Sequence, residues 1–288
     1  YMGDDYVEKY SDILQAFRNN NMEAYYAPDK ASALEIIKGL IKPGETIACG
    51  GSMTLKELDV RSLINNGQYK FLDRDAPGLS REDVELIFRK AFFADTYIMS
   101  SNAVLRTGEL YNVDGNSNRV AALCFGPKSV IVAVGRNKIV DNLTQAIERI
   151  RLIAAPLNAK RLNCGTYCAS KGKCIAEEEA VTGCNSDARI CCSYVLTSRQ
   201  RNKGRIKVII IDEEHETSYK ADNYPKYTAH EIAEERCRLS DAILILGSAT
   251  PQIETYYKAR QGEFEILKMP NRLFALQLPA VEIIDLCN

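Results

Sequence analysis

Apolar and polar residues follow two rhythms along this chain, a helical one near 3.6 and a strand one of 2, and the two take turns. In YVEKYSDILQAF, Val7, Tyr10, Ile13, Leu14 and Phe17 share one helical face. MEAYYA, residues 22–27, reads as a short strand, and DKASALEIIKGLI, 29–41, as a helix that stops at the Pro43-Gly44 turn pair. TIACGG is a strand ending in two glycines, and MTLKELDVRSLI, 53–64, predicts one helix directly after it. REDVELIFRKAFFA reads as helix, DTYIMSS as strand and SVIVAVG as a buried strand. Asp141 is expected to cap the helix NLTQAIERIRLIA, whose stripe is Leu143, Ala146, Ile147, Ile150 and Ile153. Strands separated by helices specify an α/β fold, a mostly parallel sheet flanked by helices on both faces.

Residues 156–204 break this rhythm, being polar, Cys-rich and weakly periodic, and a strand returns at 205–211. The remainder alternates helix (AHEIAEERCRL), strand (AILILG), helix (PQIETYYKARQ) and strand (FEILKM). Pro251 suits the first turn of its helix and Gly262 the end of it. Two strands are too few to stand alone, so this tail is expected to lack a sheet of its own. The chain thus divides into residues 1–211, with a Cys-rich loop at 164–192, and residues 212–288.

Composition narrows the function classes. With 46% hydrophobic and 26% charged residues, a sizeable core is affordable. No apolar run approaches the ~18 residues of a membrane span, and no signal-peptide pattern opens the chain, so a cytoplasmic protein with no membrane partner is expected. The net charge of −1 is uneven. Residues 212–288 hold 14 acids against 8 bases, and residues 1–211 hold 29 bases against 24 acids. The acidic end has the wrong sign for displacing counterions from a duplex, so nucleic acid is not an expected partner.

Four stretches carry candidate chemistry. In ACGGSMTLKEL, Gly50 and Gly51 allow a tight turn after a strand, Ser52 and Thr54 offer hydroxyls, and a helix start follows. That is the layout of a phosphate cradle, or of a plain turn capped by Ser52. In RTGELYNVDGNSNRVAAL, Glu109 and Asp114 are candidate bases, Asn112 and Asn118 candidate ligand contacts, and Arg119 a candidate anion holder; a hairpin or tight turn is the structural reading. Ten cysteines are many for a reducing compartment. From Cys164 to Cys191 three, five, nine and six residues separate successive cysteines, matching no C-x₂-C pair. Cys168, Cys174, Cys184 and Cys191 are a candidate set for zinc or an iron–sulfur cluster, with buried or free thiols as the other reading. Lys171, Lys173 and Arg189 nearby would lower thiol pKa values.

The fourth is KVIIIDEEHETSYK. A strand delivers Asp212, Glu213, Glu214 and His215 at its carboxyl end, where a nucleotide-driven motor keeps its Mg²⁺-holding and water-orienting acids. GSATP, with Gly247, Ser248, Ala249 and Thr250, follows a second apolar strand about 35 residues later. A motor also needs a G-x-x-x-x-G-K-[ST] loop, and no such loop occurs in these 288 residues. In GPKSV, Pro127 precedes the lysine and the leading glycines are missing. ATP and Mg²⁺ are therefore not expected, and the acids read as a remnant.

Two family resemblances divide the chain. GGSMTL, FFADTYIMSSNAV, TGELYNVDGNSNRVAALCFGPKSVI, NKIV, APLNAKRLN, GCNSDARICC and QRNKGRIKVII run in order through residues 1 to about 211, which resemble a LUD-domain (lactate utilization) protein. That resemblance implies a fold like the ribose-5-phosphate isomerase and CoA-transferase superfamily, whose strand-end loops bind phosphate or acyl groups. It also implies organic-acid metabolism, L-lactate oxidation beside iron–sulfur partner proteins, and a phosphorylated or carboxylate ligand at Gly50–Thr54. IAEEEAVTG separates Cys174 from Cys184 by more residues than that family's pattern.

Residues 208–288 are similar to part of the primosomal replication-restart helicase, protein N′, through IIIDEEHETSYKADNYPKY, ILGSATPQIETYYKARQGEFEIL and VEIID, which implies a partial RecA-like α/β fragment. PNRLFALQLP departs from that family's polar stretch. Val208–Ile211 serves both patterns, so a recombination or assembly junction is expected at Ile210–Glu214. Two rival readings stand beside the organic-acid one: a fragment of an ATP-dependent DNA helicase, and a non-catalytic metal or redox module on the cysteine loop.

Overall fold

The computed structural model describes residues 4–176, 183–212, 245–248, 259, 265–269 and 281–285. By internal contact the chain divides into residues 1–213 and 214–288.

The first unit opens with helix α1 (Asp4–Asn19), strand β1 (Glu23–Ala27), α2 (Lys30–Leu40) and β2 (Thr46–Cys49). Then come α3 (Met53–Glu57), α4 (Val60–Ile64), β3 (Lys70–Leu72), α5 (Arg81–Lys90) and β4 (Thr96–Met99). Strands β5 (Ala103–Leu105) and β6 (Leu110–Asp114), helix α6 (Asn118–Cys124), β7 (Ser129–Gly135) and β8 (Ile139–Val140) follow. Helices α7 (Leu143–Arg149), α8 (Ala155–Arg161) and α9 (Tyr167–Lys171) precede β9 (Ser193–Thr197) and β10 (Ile206–Ile211).

Six strands make one sheet in the order β1-β10-β7-β4-β2-β3, every pair parallel. Both faces are covered, so the strands are nearly continuous in apolar residues. Along β7, Val130, Val132 and Val134 join Tyr10, Ile13, Leu14 and Phe17 of α1 on one face. Ile131 and Ala133 join Ala33 and Ile37 of α2 and Val60 and Ile64 of α4 on the other. Fully burying each large side chain is worth roughly 1.5–3 kcal/mol. The helical stripe of α1 is thus the expected one, although the side chain of Val7 lies outside the described residues.

Three local expectations give way. The single helix over 53–64 is two short ones, because Asp59 adopts a left-handed conformation (φ 53°) between them. Asn142, not Asp141, caps α7, its side chain accepting from the Gln145 amide. Beyond α7 the backbone widens into a π turn over Ile150–Ala154. Pro156 lies just past it; a proline has no N–H and its ring crowds the carbonyl four residues back, which the wider turn relieves.

A second sheet, in the order β8-β5-β6-β9, was not legible in the sequence. It recruits Ser193–Thr197 from the irregular segment as an antiparallel partner of β6. The hairpin turn lies at Thr107-Gly108, where Gly108 has φ +86°, rather than at Asp114-Gly115, which leads into α6.

In the second unit, β11 (Ile245–Ser248), β12 (Glu265–Met269) and β13 (Val281–Asp285) form a sheet in the order β11-β13-β12. Both pairings are antiparallel, so the tail has a sheet, and its described strands lack the parallel neighbours expected of a RecA-like piece. Among the described residues no helix is long and apolar enough to cross a membrane.

Candidate functional site

The carboxyl ends of β2 and β4 lie side by side, and the chain leaves them in opposite directions. From β2 it moves outward to β3, and from β4 inward towards β7. In open α/β sheets such a divergence leaves a crevice outside the strand ends. The Gly50–Thr54 loop stands there, anchored where the Gly50 amide donates to the Ile98 carbonyl at 2.9 Å.

Lys138, three residues beyond β7, reaches this loop. Its Nζ donates to Thr54 Oγ1 and to Ser100 Oγ, each at 2.8 Å. Burial of the ammonium, with the positive charges of Arg149 and Arg119 beside it, pulls its pKa down to about 7; Glu57 opposes the shift. A desolvated lysine next to other cations is one recognised way of keeping an amine neutral near pH 7.

Arg119 lies against Gly50, where an added Cβ would come within 3.3 Å of its Cδ. Sequence reasoning gave it an anion to hold, but its donors are taken by the protein. Nη1 donates to Ser100 O at 3.2 Å and Asn112 Oδ1 at 2.6 Å, and Nη2 to Asn102 Oδ1 at 3.0 Å and Val113 O at 2.8 Å. Asp114 lies 3.6 Å from its Nε and accepts from the Val120 amide, so Asp114 anchors the arginine and α6. Asn112 is fully buried and its Nδ2 has no partner among the described residues. Asn118 begins α6 immediately before Arg119.

Two further groups leave donors unused. Arg74 Nη2 sits so close over Gly51 that a Cβ there would approach to 2.2 Å. Arg74 stacks on Phe88 and lies 3.7 Å from Asp75, yet makes no hydrogen bond to a described residue. Tyr97 is 2% exposed, and its hydroxyl, 3.3 Å from a Cβ built on Gly50, also makes none. The Ser52 side chain caps nothing. With only five residues, α3 contributes little dipole, so the helix start weighs less than the sequence implied. Cys49, beside the loop, is pushed up to about 12 by burial and stays a thiol.

The structure brings together Gly50, Gly51, Ser52, Thr54 and Arg119, with Asn112 and Asp114 behind the arginine. It does not bring in Glu109, which accepts from the Thr107 hydroxyl in the β5–β6 turn. That turn packs on the end of α1, which leads straight into the start of β1, at the amino ends of the parallel strands. Lys138, Arg74 and Tyr97 were missed. The available signal was a charged residue just past an apolar strand, as in SVIVAVGRNK and KFLDR.

The described cysteines of the loop are free thiols. Cys174 and Cys191 line a small cavity with Arg151 and Tyr194, and Gly183 lies against Cys191. Arg189 bridges the carbonyls of Cys184 and Cys191. Burial first, then the neighbouring Cys168, Cys174 and Cys184, drives Cys191 up to about 11, outweighing Arg189. Among the described residues no group of three or more His, Cys, Asp or Glu is placed to hold a metal.

Asp212 follows β10 directly and has partners within the first unit. Its carboxylate accepts from Tyr10 at 2.6 Å, Arg136 at 3.1 Å and Tyr26 at 3.3 Å, and its side chain is 6% exposed. Glu213, Glu214, His215, Ala249 and Thr250 lie outside the described residues, whereas Gly247 and Ser248 fall inside β11.

A family model described as the LUD domain matches residues 10–211. The chain is 42% identical over 79 residues to the replication restart protein PriA of Bacillus subtilis, covering 27% of this chain and 10% of that protein. Over 81 residues it is 36% identical to PriA of Treponema pallidum, covering 28% and 12%. The chain thus spans about a tenth of the length of these curated relatives. A crystal structure of a DUF162 family protein from Deinococcus radiodurans is similar at 15% identity and a TM-score of 0.39, covering 71% of this chain and 98% of that one.

Proposed function

The chain belongs to the LUD domain family, linked to lactate utilization, and from that premise we propose that residues 1–211 bind a small carboxylate or phosphorylated organic acid at the Gly50–Thr54 loop. The observation that carries the reading is a set of donors with no acceptor among the described residues, beside the half-buried Lys138 cation. Arg74 and Tyr97 hold hydrogen-bonding groups with no acceptor among the described residues against the short loop that carries Ser52 and that Lys138 reaches through Thr54. An anion entering this crevice would offer such donors several acceptors at once.

Asp212 argues against the helicase reading. A carboxylate already accepting from two tyrosines and an arginine is poorly disposed to hold Mg²⁺. The segment after it is read as contributing nothing to ATP turnover.

Calorimetric titration of the full chain with L-lactate, pyruvate and inorganic phosphate tests the proposal. At least one is expected to bind with a Kd in the micromolar-to-millimolar range. Arg74→Ala is expected to weaken it about tenfold or more, the loss of one charge-assisted contact. No binding by any of the three, or binding unchanged in Arg74→Ala and Lys138→Met alike, would remove the site. DNA-stimulated ATP hydrolysis in a parallel assay would favour the helicase reading.

A further inference from the structure

The loop's chemistry extends beyond holding an anion, and the extension rests on the binding reading above. An ammonium group has three N–H donors, whereas a neutral amine has two and one lone pair. Lys138 Nζ makes two hydrogen bonds, both to hydroxyls, Thr54 Oγ1 and Ser100 Oγ. No carboxylate is within ion-pairing distance of it among the described residues. Both partners are groups that can also donate, so they suit an amine as well as an ammonium. Among the described residues the charged groups acting on it are Arg149 from α7, Arg119 from α6 and Glu57 from α3, two cations against one anion. The thiol that would compete as nucleophile, Cys49, is held protonated by burial.

We propose that Lys138 is a nucleophile that forms an imine with the carbonyl carbon of a small oxo acid whose acid group lies on the Gly50–Gly51 side of the loop. There Tyr97 and Arg74 hold the unused donors, while the carbonyl faces Thr54, Ser100 and Lys138. The amine lone pair forms the C–N bond and the carbonyl π pair moves to oxygen. One amine proton passes to that oxygen, giving a carbinolamine. The oxygen then leaves as water, taking a second proton through the Thr54 or Ser100 hydroxyl, and the C=N bond closes. One water is released and no electrons change hands, so no oxidant or reductant is needed.

The test is reductive trapping on the intact chain. Pyruvate is offered with cyanoborohydride between pH 6 and pH 9, and the modified lysine is located by peptide mass spectrometry. Dihydroxyacetone, an uncharged ketone of similar size, is the comparison. The proposal predicts that Lys138 is the principal site, labelled about tenfold or more faster by pyruvate than by dihydroxyacetone. Labelling should rise with pH and level off above pH 7, because an ordinary exposed lysine titrates only near 10.4. Thr54→Val should slow it while leaving the chain folded.

Labelling spread over surface lysines, or equal rates for the two ketones, would overturn the proposal. Pyruvate binding measured by calorimetry with no trapped Lys138 would overturn the imine but keep the anion site. Absence of both binding and trapping would remove the two together.

Discussion

Burying the Lys138 amine costs stability, and the cost depends on pH with a sign that can be stated. Its pKa is near 7 in the fold and about 10.4 in an unfolded chain. The folded state therefore binds fewer protons between these values, and stability rises with pH across that window. Below pH 7 the amine is charged in both states and the fold carries the whole penalty, on the order of a few kcal/mol. Lys138→Met removes the titrating group. Its stability relative to the parent should thus be most favourable below pH 7 and should decline towards pH 10. Urea unfolding at pH 6 and pH 10 measures this, and a gap that does not change with pH would contradict the buried amine.

Only part of this crevice was legible in the sequence. Gly50, Gly51 and the Ser52 and Thr54 hydroxyls are visible because glycines at a strand end need a structural reason. Arg119 was visible too, but its four acceptors come from β6 and the loop between β4 and β5, which no linear spacing reveals. Lys138 and Arg74 look like ordinary solvated cations until the sheet order places the ends of β7 and β3 on either side of the β4–β2 pair.

Among the elements, the long apolar strands and amphipathic helices were readable because each repeats its period several times. The failures are local backbone events. Asp59 breaks a helix through a left-handed φ, Pro156 adjoins a π turn, and β9 is recruited by β6 from a segment with no clear period. Gly108 shows what such an event is worth. A Cβ there would lie 2.5 Å from the backbone carbon of Ala16, and φ is +86°. Gly108→Ala must therefore move α1 against the β5–β6 turn, at an expected cost of about 2–4 kcal/mol. Gly44 has a similar φ of +84° but no neighbour within 4 Å, so Gly44→Ala should cost only about 1 kcal/mol. Equal losses in the two variants, read from denaturant midpoints, would show that φ alone and not the α1 contact sets the cost.

At the scale of the whole molecule, a parallel six-stranded sheet collects functional groups at its carboxyl edge. The end nearer β1 is closed by the Tyr10–Asp212–Arg136 cluster, and the end nearer β2 keeps donors unspent. Asp212 belongs with the sheet that precedes it, and the division of the chain falls after Glu213. A resemblance read along the chain assigned this aspartate to a nucleotide motor, because the strand Val208–Ile211 satisfies both patterns. Among the described residues its hydrogen-bond partners, Tyr10, Tyr26 and Arg136, lie in the first unit.

Crystals of the full chain grown with saturating pyruvate or phosphate test the central claim most directly. The account predicts anion density at the Gly50–Thr54 loop, within hydrogen-bonding distance of Arg74 and the Tyr97 hydroxyl. An empty loop at saturating anion, or a nucleotide phosphate seated against Asp212 in crystals soaked with ATP and Mg²⁺, would contradict it.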